Sequence, residues 1–245
     1  MPACSMCDGT GYKDHAGFAM DPCECRGGSI AEPQVTSPFA SLAGQRFQLL
    51  YADPPWRTVL WSGAQRTPSQ KAGEDHYDTM ALEDLKALPV ADITHRHAVL
   101  AMWAIGSHLD QAIELGRAWG FEYVTDLFYW AKQRQLRPNQ VDLFTDDVEP
   151  CPIGMGKYTR KQVEPCLLFK RGKGLRVLDH GIAQLIVEPK REHSRKPDRV
   201  YGDLEALFGF FPRVELFTRT TREGWASWGN QVGKFAPAPR DTVAS

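Results

Sequence analysis

The sequence lacks the features of a membrane protein or of a strongly basic nucleic-acid binder. No apolar run reaches the roughly 18 residues that a membrane-spanning helix needs. Lysines and arginines number 29 against 30 aspartates and glutamates, which gives a formal net charge of −1. Any contact with a nucleic acid must therefore depend on a local basic patch. Residues 1–4 have no signal-peptide character, which predicts a reducing, cytoplasmic location.

A glycine-rich nucleotide loop of the G-x-G-x-x-G or F-x-G-x-G kind is also missing. Its absence argues against an ordinary Rossmann dehydrogenase, in which such a loop lets the backbone approach a pyrophosphate. No internal repeat is visible. The 245 residues are 42% hydrophobic, enough for one sizeable core and a small appendage.

Cysteine is scarce except at the N-terminus. Four of the six cysteines lie in the first 25 residues, in two pairs: Cys4 with Cys7, and Cys23 with Cys25. Two close pairs among glycines have the spacing of structural zinc ligands, and residues 4–11 resemble the C-x-x-C-x-G-x-G unit of DnaJ-type zinc modules. We therefore predict a zinc knuckle in residues 1–28. The alternatives are an unstructured tail with reduced thiols, a redox pair, or His15 as a substitute ligand.

Strand-like and helix-like segments alternate along residues 46–234, the predicted main domain. Buried strands are predicted at residues 47–50, 98–103, 126–130, 166–169, 185–187 and 214–217. Helices are predicted from Thr79 to residue 88, from Ser107 to Trp119 before Gly120, and from Pro197 to Phe208. This alternation predicts an α/β fold with a mostly parallel sheet. Residues 29–45 are predicted to be a linker and residues 235–245 a disordered tail.

The stretch Tyr51-Ala52-Asp53-Pro54-Pro55-Trp56 directly follows the strand at residues 47–50. The proline pair must end that strand, because proline has no N–H for a sheet ladder and a fixed φ. Asp53 and Trp56 are then presented on a stiff turn at the edge of the sheet where ligands bind in α/β folds. Asp53 and the carbonyl of Pro54 could accept the N–H groups of adenine or cytosine and make the amine nucleophilic. Trp56 could stack on the flipped base, although an ordinary surface turn is the alternative.

Several further motifs occur in a fixed order. They are Tyr77-Asp78-Thr79-Met80, Trp119-Gly120-Phe121, Trp130-Ala131-Lys132, Glu192-His193-Ser194-Arg195-Lys196-Pro197-Asp198, Glu215-Leu216-Phe217-Thr218-Arg219, and Gly224-Trp225 to Trp228-Gly229-Asn230-Gln231. Together with the 53–56 turn, they resemble the MT-A family of adenine-N6 methyltransferases over residues 47–231. The resemblance implies a permuted, Rossmann-like methyltransferase fold that uses S-adenosylmethionine.

The resemblance also assigns roles residue by residue. It makes the catalytic turn Asp53, Pro54, Pro55 and Trp56. It assigns the cofactor to Asp53, Lys196, Phe217, Arg219, Asn230 and Gln231. It sets Glu164 opposite the acceptor base. The side-chain chemistry agrees, because Lys196 and Arg219 suit a carboxylate or hydroxyls, and the amides of Asn230 and Gln231 suit hydroxyls or a purine edge.

The irregular stretch at residues 132–162 is locally basic and includes Lys132, Arg134 and Arg137. A nucleic-acid substrate needs a phosphate-binding surface, and these three residues are predicted to supply it. A solvated loop is the alternative. The sequence favours adenine-N6 methylation of DNA by a bacterial or phage enzyme, with RNA second. Two rival hypotheses are a non-catalytic nucleic-acid-binding subunit, and methylation of a protein or a small molecule.

Overall fold

The computed structural model contains two compact units, residues 1–37 and residues 38–245. The structure describes residues 12–15, 19–22, 37–57, 79–133, 153–155, 158–189 and 195–233. No helix within these stretches is long and apolar enough to cross a membrane.

The first unit contains an antiparallel hairpin of β1 (Tyr12–His15) and β2 (Ala19–Pro22). The four cysteines predicted to bind zinc lie outside the described residues, so the zinc knuckle stays a prediction. Among the residues that are described, no group of three or more histidine, cysteine or acidic side chains could hold a metal ion.

The second unit is built on a seven-stranded sheet. Its strands are β3 (Phe47–Ala52), β4 (Thr94–Trp103), β5 (Glu122–Gln133), β8 (Val163–Arg171), β9 (Leu185–Pro189), β10 (Arg213–Leu216) and β11 (Ala226–Trp228). A separate short pair consists of β6 (Ile153–Met155) and β7 (Arg160–Lys161). The helices are α1 (Leu82–Lys86), α2 (Leu109–Ala118) and α3 (Arg199–Phe208).

The strand order across the sheet is β11-β10-β3-β4-β8-β5-β9. All neighbouring pairs are parallel except the two that involve β8, which runs antiparallel to both β4 and β5. The prediction of a mostly parallel sheet is thus confirmed, but the sheet is mixed. A parallel neighbour needs a crossover connection, whereas an antiparallel neighbour can follow a chain that simply turns back at the same edge.

Strand β3 separates two layers of the hydrophobic core. Leu50 and Ala52 point into the layer that contains α1 and α2, whereas Leu49 and Tyr51 point into the layer that contains α3. These four side chains are at most 1% exposed. A strand buried on both faces is typical of the centre of an α/β sheet, so the predicted fold class is confirmed.

The helix starts differ from the predictions. Thr79 does not cap α1, whose N-cap is Ala81, because Met80 first forms a parallel bridge with Trp56 and its N–H donates to the carbonyl of Pro55 at 2.9 Å. The chain must stay extended there, so the helix begins later. At α2, the N-cap is His108 rather than Ser107. The predicted glycine stop after α2 is confirmed, since Gly120 has a φ of 84°.

The predicted linker at residues 29–45 includes residues that belong to the second unit. Residues 38–45 belong to the second unit, and Phe39 and Leu42 are buried in its core. The ring of Phe39 lies 4.7 Å from that of Trp228, centroid to centroid. These two apolar side chains tie a stretch of small polar residues to the sheet. The predicted tail at residues 235–245 lies outside the described residues.

Candidate active site

The 53–56 turn leaves the sheet where the sequence predicted, directly after β3. Its backbone is held on several sides, because the N–H of Trp56 donates to the carbonyl of Pro54 at 2.9 Å and the carbonyl of Pro55 accepts from Met80. The indole N–H of Trp56 donates to the carbonyl of Trp103 at 3.1 Å. The turn is therefore fixed to β4 as well as to the strand that it ends.

Trp56 is a wall of the site rather than an open platform. Its side chain is 5% exposed, and its polar edge is already engaged with β4. The part that remains accessible lines a cavity together with Asp53 and Trp103. Any contact with a base must therefore be made inside this cavity.

Asp53 and Lys196 are 143 residues apart in the chain and form a direct ion pair, with the ammonium 2.8 Å from Oδ2. The side chains are 26% and 12% exposed, respectively. The same ammonium lies 3.4 Å from Oε2 of Glu164. The structure thus brings together three residues that the sequence assigned separately to the turn, the cofactor and the substrate.

Lys132 departs from its predicted role. It was expected to face phosphate on a basic surface, but its side chain is only 2% exposed and its ammonium is paired with Oε1 of Glu164. The ammonium also lies 4.6 Å from the centre of the Trp130 ring. A lysine in this position cannot contact a polymer phosphate, so that prediction is corrected. Arg134 and Arg137 lie outside the described residues.

Glu164 is held in its charged form. Burial by itself would raise the pKa of this carboxyl, but the ammonium groups of Lys196 and Lys132 outweigh it and lower the pKa below its usual value. A carboxylate between two ammonium groups is a fixed negative charge at neutral pH. It faces the same cavity as the 53–56 turn.

The segment after β10 contains a strained residue. Phe217 has a φ of 64°, and no other non-glycine residue in the described part of the chain has a positive φ. Its ring stacks on Trp119 with centroids 6.3 Å apart and meets Trp228 edge-on at 5.4 Å. Gly229 allows this turn, because a Cβ there would lie 2.8 Å from the carbonyl oxygen of Thr218. The bend turns Phe217 toward the edge of the sheet.

Three adjoining cavities open at this edge, and Asp53 and Arg219 line all of them. The first is also lined by Pro54, Pro55, Trp56, Trp103, Glu164 and Lys196. The second is also lined by Tyr51, Arg195, Lys196, Tyr201, Glu215 and Phe217. The third is also lined by Pro55, Met80, Phe217, Trp228, Asn230 and Gln231. Every cofactor residue predicted from the sequence thus lines at least one of these cavities.

Glu215 is a polar residue of the second cavity for which the sequence motifs indicated no role. It is 8% exposed, and burial raises its pKa to about 7, although hydrogen bonds with Thr218 and Tyr201 oppose the rise. A signal was present in the sequence, since Glu215 lies between two apolar residues of β10, Val214 and Leu216. An acidic side chain that points inward from a buried strand needs hydrogen-bond partners or a raised pKa.

The residues around these cavities fit S-adenosylmethionine. Its carboxylate would find the cations of Lys196 and Arg219, and its ammonium would find the carboxyls of Asp53 or Glu215. The amides of Asn230 and Gln231 suit ribose hydroxyls or a purine edge, and Phe217 supplies an apolar face. These side chains can therefore hold the carboxylate, the ammonium and the adenosine of this molecule without a glycine-rich loop.

Comparison with known proteins identifies the family. The sequence model of the MT-A70 family matches residues 47–231. A type II methyltransferase, M.MunI of Mycoplasma sp, is 30% identical over 211 residues, which cover 79% of this chain and 81% of that protein.

Eukaryotic relatives match the same region at similar identity. A Medicago truncatula protein, named as a putative N(6)-adenosine-methyltransferase MT-A70-like, is 31% identical over 193 residues, or 76% of this chain. The human N(6)-adenosine-methyltransferase catalytic subunit METTL3 is 27% identical over 206 residues, or 81% of this chain. The matches span only 26% and 30% of these longer proteins. With the family model covering most of its length, this chain belongs to the MT-A70 family.

Proposed function

We propose that this protein transfers a methyl group from S-adenosylmethionine to N6 of adenine in DNA. One observation carries the proposal: the cavity bounded by the 53–56 turn adjoins two cavities lined by the cofactor residues, and Asp53 belongs to all three. A group-transfer enzyme needs its donor and acceptor sites to meet at one point. Asp53 and Arg219 both lie at that point, and of the two only Asp53 carries a carboxylate that can accept from an amine.

The first cavity would hold the acceptor base. Asp53 would accept one N–H of the exocyclic amine, and the carbonyl of Pro54 would accept the other. That carbonyl already receives the N–H of Trp56 at 2.9 Å, but a carbonyl oxygen has two lone pairs and can accept twice. These hydrogen bonds would draw the nitrogen lone pair out of conjugation. Because the cavity is walled by Trp56, the base must leave its stack to enter.

The second and third cavities would hold the cofactor, whose sulfonium supplies an activated methyl group. Lys196 would orient its carboxylate, Asn230 and Gln231 would bind the adenosine, and Phe217 would pack against it. Catalysis by this chain would then consist of positioning and fixed charge. The pairing of Lys196 with Asp53 at 2.8 Å supports this account, since one ammonium bridges the two sites.

DNA is the favoured acceptor because the match to the type II methyltransferase covers 81% of that protein, whereas the matches to the eukaryotic relatives cover less than a third of theirs. RNA is the second candidate. It is supported by the names of those relatives, which specify N(6)-adenosine, and by their similar identity to this chain.

The test is methylation of matched oligonucleotides. The protein is incubated with isotope-labelled cofactor and with DNA and RNA of the same sequence, each with adenine present or replaced. Label at adenine N6 of DNA is expected. Label only in RNA would transfer the proposal to RNA, and label in neither polymer, or only on cytosine, would overturn it.

The first prediction concerns Asp53→Asn and Asp53→Ala. Both changes remove the carboxylate that is meant to hold the amine, and a loss of at least about 1,000-fold in kcat is expected. Calorimetry with the cofactor is the companion measurement. A non-catalytic subunit with no methyl donor site would show no cofactor binding in the wild type. Full activity in either variant would remove Asp53 from its role.

We also propose that Cys4, Cys7, Cys23 and Cys25 bind one structural zinc ion. The support is their spacing and the hairpin that lies between the two pairs. Metal analysis of the purified wild type should find about one zinc per chain, and Cys7→Ser and Cys23→Ser should lower it. A metal-free wild type would refute this.

A further inference from the structure

Four charges of alternating sign cross the edge of the sheet at the candidate active site. They are Asp53 after β3, Lys196 before α3, Glu164 in β8 and Lys132 in β5. Each oxygen of Glu164 has its own ammonium: Oε1 meets Lys132 and Oε2 meets Lys196 at 3.4 Å. Lys196 in turn reaches Oδ2 of Asp53 at 2.8 Å. The position of each group therefore depends on the next.

The ammonium group of each lysine lies against a tryptophan ring. The ammonium of Lys196 is 5.6 Å from the centre of the Trp103 ring, and that of Lys132 is 4.6 Å from the centre of the Trp130 ring. The indole N–H of Trp103 donates to the hydroxyl of Tyr51 at 2.6 Å, and that of Trp130 donates to the carbonyl of Glu188 at 3.0 Å. Both rings are therefore held in place, and each ring limits how closely the ammonium above it can approach.

Register explains why Lys132 reaches Glu164. Trp130 lies opposite Glu164 in the antiparallel pairing of β5 with β8, and Lys132 is two residues further along on the same face. Its side chain folds back over Trp130 to meet the carboxylate. Taking an ammonium out of water is costly, so a lysine that is 2% exposed here requires a compensating partner.

We propose that Lys132 is a positioning residue for methyl transfer: by holding Oε1 of Glu164, it directs Oε2 to Lys196 and thereby sets Lys196 against Asp53. This inference rests on the proposed function. Lys132 itself lines none of the three cavities described above, so it acts through Glu164.

The expected consequence of losing Lys132 is a misplaced Lys196. Without its first partner, the Glu164 carboxylate is free to turn both oxygens toward Lys196 and to draw that ammonium away from Asp53. We expect Lys132→Met to lower kcat by about 10- to 100-fold, the cost of a small misplacement at a reacting centre. KM for the oligonucleotide should change little. Loss of a phosphate contact would instead raise KM and reduce the salt dependence.

The experiment is a double-mutant cycle of Lys132→Met and Glu164→Gln. If Lys132 acts through Glu164, the double variant has the kcat of Glu164→Gln alone, to within about threefold. The double variant also protects the test against a misfolded single variant, because replacing both members of a buried pair with neutral side chains is better tolerated than removing one. Melting temperature is measured for each protein.

A matched control comes from the other end of the same two strands. Lys170 of β8 and Glu122 of β5 form an ion pair with 3.5 Å between nitrogen and oxygen, and their side chains are 42% and 74% exposed. Lys170→Met should leave kcat unchanged to within about twofold, since exposed pairs contribute little.

A pH profile provides a readout that a purely structural role would not affect. Glu164 faces Lys132 from β5 and Lys196 from the segment before α3. Asp53 lies beyond Lys196, Arg219 lines the same cavity, and Cys166 is two residues along β8. Removing one of the two cations should move the part of the acid limb of kcat that Glu164 contributes to higher pH in Lys132→Met, while Glu164→Gln should lose only that part.

The outcomes separate this inference from the proposed function. A wild type that methylates no adenine overturns both. An active wild type with unchanged kcat in Lys132→Met overturns the positioning role alone. The positioning role is also overturned if the two substitutions lower kcat by independent factors that multiply in the double variant. A change confined to KM and to the salt dependence would overturn it as well. A fall in kcat that is absent on the Glu164→Gln background, together with the shifted acid limb, supports it.

Discussion

Two glutamates near Asp53 have opposite electrostatic environments. Glu164 lies on β8, to one side of β3 and β4, and two ammonium groups lower its pKa. Glu215 lies on β10, on the other side of β3, and burial raises its pKa to about 7. The same residue type is therefore a fixed charge beside the first cavity and a titrating group beside the second cavity.

The difference follows from the neighbours. Glu164 has lysines at each oxygen, whereas Glu215 has the hydroxyls of Tyr201 and Thr218 and lies near the like charge of Asp53. Neutral hydrogen bonds only partly replace water around a carboxylate, and a second carboxylate opposes its ionisation. The Arg222 guanidinium favours ionisation, but its effect is too weak to offset burial. Environments that separate two carboxyls in this way are typical of functional sites.

The largest stability effect is expected from Glu164→Ala, which removes the carboxylate that neutralises the buried Lys132 ammonium. The free energy of unfolding should fall by about 3–5 kcal/mol, as measured by chemical denaturation at pH 7. The matched change Glu122→Ala, in the exposed pair with Lys170, should cost less than about 0.5 kcal/mol. Equal losses in the two variants would mean that the Glu164 pair behaves as a surface pair.

A smaller effect on the free energy of unfolding is expected when a change of pH titrates Glu215. Its pKa is about 7 in the folded protein against a usual 4.5, so between these values the folded state binds more protons than the unfolded state. Raising the pH from 4.5 to 7 should therefore remove up to about 3 kcal/mol of stability. Glu215→Gln should abolish this contribution. Parallel stability curves for the wild type and this variant would contradict it.

Glu164 should contribute with the opposite sign. Its pKa is lowered on folding, so its stabilising contribution is present above the usual carboxyl pKa and is lost as the pH falls through the folded value. The acid side of the stability curve should therefore respond to Glu164→Gln, and the near-neutral side to Glu215→Gln. This difference in pH window separates the two glutamates in one set of denaturation curves.

The smallest effect is expected from Tyr201→Phe, which removes the hydroxyl that hydrogen-bonds to Glu215 and keeps the ring that packs against Tyr51 and Trp225. At pH 8, where Glu215 is ionised, the variant should lose about 1–2 kcal/mol of stability. The carboxyl carbon resonance of Glu215 should titrate at higher pH than in the wild type. An unchanged titration would show that this hydroxyl does not stabilise the charged form.

The turn at residues 53–56 and the strand before it could be predicted from the sequence, because proline and runs of apolar residues determine the local backbone conformation. The end of β3 and the stop at Gly120 follow from backbone rules that hold in any context. The burial of Lys132 could not be predicted, since a lysine beside Arg134 and Arg137 is typical of a solvated surface. Its burial depends on Glu164, a partner 32 residues away in the chain, and on the contact of its ammonium with the Trp130 ring.

The antiparallel direction of β8 was missed for a similar reason. Alternating strands and helices favour parallel pairing, and strand direction is decided by where the connections run rather than by the strand sequence. The positive φ of Phe217 was also unpredictable, because bulky residues rarely adopt it. Tertiary contacts with Trp119 and Trp228 accompany it in this position.

The direction of β8 has a consequence for the segment that joins β5 to β8. β5 ends and β8 begins at the same edge of the sheet, so the chain that leaves β5 after Gln133 returns at Val163, next to Glu164 of the first cavity. The paired strands on either side act as a fixed pair of anchor points. The segment between them could be exchanged for one of another length while the pairing of β5 with β8 is kept, but the hydrogen bond from the N–H of Lys132 to the carbonyl of Gln162 would have to be rebuilt.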